Sequence, residues 1–116
     1  MLQPIGSRFI DLGDGPVHIA DFGGRGSPVV CVHGLGGSHV NWVACAEGLG
    51  ALGHVTAIDL VGFGLTPTLG RSASVEANRA LLGRYLTSLD APALVVANSM
   101  GGALAMAQAA AQPETV

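Results

Sequence analysis

The sequence predicts an α/β fold: a mostly parallel sheet with helices on both faces and an opening β-hairpin. Three observations lead there. Val29 to Val32, Val55 to Leu60 and Ala93 to Ala97 are short apolar runs rich in β-branched residues and free of polar alternation, as strands buried on both faces require. Those runs alternate with stretches whose apolar residues recur at helical spacing, which implies parallel strands joined by crossover helices. Before them, two strand-like runs, Arg8 to Leu12 and Val17 to Phe22, flank the turn Gly13-Asp14-Gly15-Pro16.

Taken in order, the hairpin leads through a loop, Gly23 to Pro28, into the first buried strand, which ends at His33-Gly34-Leu35-Gly36-Gly37. Ser38 can N-cap the next helix, about His39 to Leu49, with Trp42, Val43, Ala46 and Leu49 on its inner face before Gly50 and Gly53 stop it. After the second buried strand, Val61 to Gly70 is turn-rich. Ser74 then caps a helix carrying Val75, Leu81, Leu82, Tyr85, Leu86 and Leu89 inward and Glu76, Arg79 and Arg84 on other faces. Glu76 in its first turn suits the helix dipole. The third buried strand runs into an alanine-rich helix from Met100 to Gln112, which Pro113 prevents from continuing far.

The 116 residues have room for one domain. Hydrophobic residues make up 49%, charged residues 11%, and mean hydropathy is +0.51. A soluble domain usually carries about 25% charged residues, so this chain is short of polar surface. Charges, prolines or clustered glycines interrupt every apolar run before the roughly 18 residues of a membrane span. Met1 to Ile10 lacks the basic start and apolar run of a secretory signal, so the expected location is cytoplasmic. A net charge of -3, with no lysine and no basic cluster, speaks against nucleic-acid binding. Cys31 and Cys45 read as reduced, buried small hydrophobes.

The chemistry is concentrated at Leu94 to Gly102, Leu-Val-Val-Ala-Asn-Ser-Met-Gly-Gly, where a strand is driven into Ser99 and a helix begins at once. A serine on so sharp a strand-to-helix turn projects its hydroxyl beyond the sheet, and small neighbours such as Ala97 and Gly101 accommodate its strained backbone. An isolated serine in this place would ordinarily be an N-cap. With the strand, the elbow and a glycine loop after an earlier strand, Ser99 reads instead as a nucleophile position. The Met100 amide at the helix N-terminus is then one oxyanion donor, and the Leu35 amide is the second. Gly34, Leu35 and Gly36 would line the substrate site.

The His33-Gly34 loop, Trp42 in the following helix, Asp59-Leu60-Val61-Gly62-Phe63-Gly64 and the elbow Ala97-Asn98-Ser99-Met100-Gly101-Gly102 occur together in one order. That order resembles the N-terminal part of the α/β-hydrolase superfamily, in its serine-nucleophile, esterase- and lipase-like branch, from about Arg8 onward. The resemblance implies half of such a core sheet and hydrolysis of esters, thioesters or related acyl bonds of a small molecule. Serine at the nucleophile position argues against the dehalogenase and epoxide hydrolase branches. Ala97 stands where the commonest elbow has glycine, a departure that a methyl group tolerates.

The resemblance also implies that the triad acid and histidine follow the serine, yet residues 100 to 116 contain no histidine. The chain therefore reads as a partial domain, residues 1 to 116, ending after the elbow helix. Glu114, the only acid after Ser99, is a weak triad candidate. His33 precedes the serine and reads as structural. His18, His39 and His54 show no ligand-like spacing and no nearby carboxylate pattern, so no metal is expected. Asp59 is expected to hydrogen-bond the Gly62-Phe63-Gly64 turn. No cofactor is expected: there is no lysine, and the glycine spacing of a dinucleotide fingerprint fails at His39. The family's strand order would leave the Ser99 strand as an apolar edge, to be covered by a C-terminal half or a partner. The alternative is a non-catalytic protein that keeps the scaffold for binding or assembly.

Overall fold

A computed structural model describes residues 3–116. Its sheet has five strands: β1 (Gly6–Asp11), β2 (Pro16–Gly23), β3 (Pro28–Val32), β4 (His54–Ile58) and β5 (Leu94–Ala97). They lie in the order β1-β2-β4-β3-β5. The β1-β2 hairpin pairs antiparallel with itself and with β4, whereas β4, β3 and β5 are parallel to one another. The sheet is thus mixed, a parallel core extended by the expected hairpin.

Alternation along the strands builds a core on each face. Val30 and Val32 of β3 join Ile58, Leu81, Tyr85 and Leu104 on one face, while Val29 and Cys31 join Val55, Ala57, Trp42 and Ala46 on the other. Three α-helices cover them: α1 (Ala46–Leu49), α2 (Val75–Thr87) and α3 (Met100–Ala111). α1 lies on one face, and α2 and α3 on the opposite one. Right-handed crossovers require this division, because the chain leaves β3 toward β4 in one direction and returns past β3 to β5 in the other. The switch of direction at β3 opens a crevice between the loops that follow β3 and β5. Those loops carry Leu35 and Ser99.

Three expectations need correction. The helix expected over His39 to Leu49 is a 3₁₀ turn (His39–Trp42), an irregular stretch and the single turn α1. His39 is tethered at its start and Gly48 and Gly50 weaken its end, leaving too little chain to nucleate a longer helix. Trp42, Val43 and Ala46 are nonetheless buried as expected. Val75 is exposed, because the first turn of α2 projects past the core. Cys45 is exposed rather than buried, although both cysteines are free. Burial and the nearby Cys45 push the Cys31 thiol up to about 12.

β5 pairs with β3 on one side and is an edge strand among the described residues. Its residues are half-buried, and Leu94 is exposed. No described helix is long and apolar enough to cross a membrane.

Candidate active site

The chain turns from β5 into α3 through Ser99, whose backbone sits at φ 55° and ψ −120°. Apart from Leu69, Ser99 is the only described residue other than glycine with positive φ. Such a conformation costs about 1–3 kcal/mol and persists only where surrounding structure imposes it. The constraints are visible on both sides. Asn98 donates its amide to the Val32 carbonyl (3.2 Å), and the Ser99 carbonyl accepts from the Gly102 and Ala103 amides at the start of α3. At Gly101 a side chain is impossible without movement: its Cβ would lie 2.3 Å from the Val32 carbonyl oxygen and 2.5 Å from that of His33. Glycine there lets α3 start directly against the end of β3. The Ser99 side chain is exposed and makes no capping bond.

The loop after β3 passes beside this elbow. A Cβ on Gly34 would meet the Ser99 Cβ at 3.0 Å, so glycine permits the approach. His33 holds the loop's orientation. Its Nε2 accepts from the Leu60 amide (3.1 Å), which leaves the ring proton on Nδ1, and Nδ1 donates to the Gly34 carbonyl (2.8 Å). The same carbonyl accepts from the Gly37 amide (3.0 Å). The peptide is trans and planar, so fixing the Gly34 C=O also fixes the opposed Leu35 N–H. Among the described residues neither the Leu35 nor the Met100 amide has an acceptor. Leu35 itself is exposed, and Gly36 takes a positive φ of 76° to close the loop.

Asp59, fully buried just after β4, ties this end of the sheet together. Its Oδ1 accepts from the His39 amide (2.6 Å), and its Oδ2 from the Leu65 amide (3.0 Å), His39 Nδ1 (2.8 Å) and His18 Nδ1 (2.9 Å). Burial alone would raise this carboxyl's pKa. The Leu65 and His39 amides and the His39 ring outweigh that and hold it below the usual carboxylate value. Gly64 allows the turn to wrap so closely, since a Cβ there would lie 2.3 Å from the carboxylate carbon.

Residues 29–116 match the family model described as alpha/beta hydrolase family. This chain belongs to that family. It is 33% identical over 120 residues to a 2-hydroxy-6-oxononadienedioate/2-hydroxy-6-oxononatrienedioate hydrolase of Cupriavidus pinatubonensis, covering 95% of this chain and 42% of the relative. It is 32% identical over 107 residues to Lipase 3 of a Moraxella species, covering 90% of this chain and 34% of that one. Among solved structures, the thioesterase domain from the curacin biosynthetic pathway superposes with a TM-score of 0.84 at 30% identity, over 96% of this chain and 41% of that one. The chain thus spans less than half the length of each.

Within this α/β-hydrolase chain, the Gly34 to Gly36 loop and the Ser99–Met100 elbow lie beside each other at one end of the sheet. The histidines depart from expectation. His18 and His39 are not without a carboxylate: both bind Asp59, across 41 and 20 residues. The donor atoms of these three residues lie within 4.8 Å of one another, a grouping that could hold a metal ion. Each contact is already a hydrogen bond of 2.8–2.9 Å, and Asp59 Oδ2 also carries the Leu65 amide. The group is spent on joining loops. Asp59 does bind beside the Gly62-Phe63-Gly64 turn, at Leu65, but its larger role is to join three segments. One sequence signal pointed to this: His18 shares a buried strand face with Ala20 and Phe22, where an uncompensated imidazole would be costly. His54 binds Asp21 (2.9 Å), so none of the four histidines is bonded to Ser99.

Proposed function

We propose that this chain carries the nucleophile and oxyanion-hole half of a serine-dependent α/β-hydrolase that cleaves esters, thioesters or related acyl bonds of a small-molecule substrate. One observation carries the reading. Ser99 holds a positive-φ elbow conformation with its hydroxyl exposed and uncommitted, which no helix cap requires.

In the proposed reaction Ser99 Oγ attacks the substrate carbonyl while a general base takes its proton. The carbonyl oxygen becomes an oxyanion facing the Met100 and Leu35 amides. Collapse of the tetrahedral intermediate expels the alcohol or thiol, which leaves with the proton, and water then releases the acid from Ser99. On this reading the two amides, which have no competing acceptor among the described residues, supply their stabilisation at the transition state. Gly34, Leu35 and Gly36 form the wall along which the acyl group lies. The base is absent from residues 100 to 116, and His18, His33, His39 and His54 all have other partners. Catalysis on this reading needs a histidine and an acid beyond residue 116, and the 116-residue chain alone is inactive. The names of the relatives span a 2-hydroxy-6-oxononadienedioate/2-hydroxy-6-oxononatrienedioate hydrolase, a lipase and a thioesterase domain; the last two support the acyl class, and no single substrate is proposed.

The commitment of all four histidines elsewhere also favours a second reading, a non-catalytic binding or assembly scaffold. A fluorophosphonate probe applied to the longest natural form separates the two. Covalent labelling that disappears in Ser99→Ala supports the hydrolase; labelling that survives the substitution names the wrong serine. Complete absence of labelling in a folded full-length form favours the scaffold.

A further inference from the structure

At the opposite end of the sheet from Ser99, the first residues of β3 and β4, Pro28 and His54, border a cavity of about 460 Å³ that Thr56, Tyr85, Arg8 and Leu89 also line. That volume suits a small organic molecule. Five strand residues of about 3.3 Å each separate it from the elbow end, so the two sites are distinct.

The cavity contains a hydroxyl donor with no acceptor among the described residues. Thr56 and Tyr85 are 6% and 1% exposed, and their hydroxyls bond each other at 2.8 Å. Each group carries one proton, and the mutual bond uses one of the two. Neither oxygen has another partner among the described residues, so one O–H remains to be donated. A donor that lines a cavity without a protein acceptor is free to bond an acceptor on a molecule that enters in place of water.

A cation stands beside it. Arg8 forms an ion pair with Asp21 Oδ2 at 3.7 Å, a separation too long for a hydrogen bond. Asp21 is already satisfied by His54 Nε2, 2.9 Å from both its oxygens, and by the Gly23 amide at 2.8 Å. Arg8 therefore keeps its guanidinium donors. Its charge also reaches the phenol: burial pushes the Tyr85 pKa up, the Thr56 bond and Arg8 pull it back, and the Asp21 carboxylate adds a smaller push upward. Pro28 and Leu89 supply an apolar wall, and Asp90, exposed to water, is the one carboxylate among the lining residues.

We propose that this cavity binds a small organic carboxylate, its oxygens held between the Arg8 guanidinium and the free hydroxyl proton of the Thr56–Tyr85 pair, its apolar body against Pro28 and Leu89. Bidentate guanidinium contact together with a hydroxyl donor matches the acceptor geometry of a carboxylate. The site is independent of the acyl chemistry at Ser99.

Titration of the ¹⁵N-labelled longest natural form with benzoate tests it, with benzamide as the neutral analogue. Saturable shifts are expected at the Arg8 side chain and the amides of residues 88 to 91, with benzamide at least about tenfold weaker. Arg8→Met, on a half-exposed side chain that the core does not need, is expected to weaken benzoate by about tenfold or more while leaving the spectrum dispersed. The double variant Thr56→Val/Tyr85→Phe, which removes both hydroxyl protons, should act in the same direction. Equal binding of benzamide, unchanged affinity in Arg8→Met, or shifts confined to the loops around Ser99 overturns the proposal.

Discussion

Ser74 and Ser99 each stand immediately before a helix, and the difference between them separates a cap from a reactive position. Ser74 has an extended backbone (φ −66°, ψ 162°), and its Oγ accepts from the Ala77 amide at 3.1 Å. Its hydroxyl is spent on the helix that it starts. Ser99 has φ 55° and ψ −120°, caps nothing, and leaves the first amides of α3 unmet by its side chain. What differs is the approach of the chain. A turn-rich loop leads into Ser74 and can adopt whatever geometry the cap prefers. Ser99 follows directly on a strand locked to β3, so the reversal into α3 falls on a single residue. The strain is the means by which the hydroxyl is kept free.

The sharpest way to break the elbow is at Gly101. A methyl group there collides with two backbone carbonyls, so Gly101→Ala is expected to cost about 3 kcal/mol or more by urea denaturation and to abolish phosphonate labelling of the full-length form. A cost below about 1 kcal/mol would mean that α3 can start elsewhere.

Asp59→Asn, which removes the charge that gathers the surrounding loops, should cost about 2 kcal/mol at neutral pH. Its folded pKa lies below the ordinary carboxylate value of about 3.9. The unfolded chain therefore takes up the proton first as pH falls. The stabilisation is complete above the unfolded pKa and is lost as pH drops through the folded one. Denaturation midpoints of the native chain and Asp59→Asn should accordingly converge in acid; a gap that widens there contradicts the assignment.

The two serines should then respond with opposite signs. Ser74→Ala loses a cap and is expected to destabilise by about 1 kcal/mol. Ser99→Gly relieves a positive φ and is expected to stabilise by about 1 kcal/mol. Smallest of all, Ser99→Ala keeps the strain and loses no bond, so its denaturation midpoint should match the native one within about 0.5 kcal/mol while its labelling vanishes. If Ser74→Ala and Ser99→Ala cost the same, Ser99 is an ordinary cap and the distinction fails.

Much of this was legible in residue order. The strands, the caps at Ser38 and Ser74, the hairpin and the elbow all follow from near-neighbour patterns and stand where the chain suggested, although the third strand is half-exposed at the edge of the sheet rather than buried on both faces. The site was legible only in part. Ser99, Met100 and the Gly34 to Gly36 loop carry motifs, whereas nothing in the spacing of His18, His39 and Asp59 brings them together. The helix after Ser38 was overestimated for a related reason, since the tether from His39 to Asp59 is invisible at short range.

By itself, then, the sequence determined the kind of elements, their order and the residue that sits at the elbow. These depend on hydrophobic period, turn chemistry and capping, which act within a few residues. The tertiary structure decided the sign of φ at Ser99, the orientation that His33 imposes on the Leu35 amide, the binding of two histidines to one carboxylate, and the pairing of Thr56 with Tyr85 in a cavity at the other end of the sheet. Each of these depends on strand order and register or on how loops and helices pack across the sheet, and those are set by packing of the whole chain.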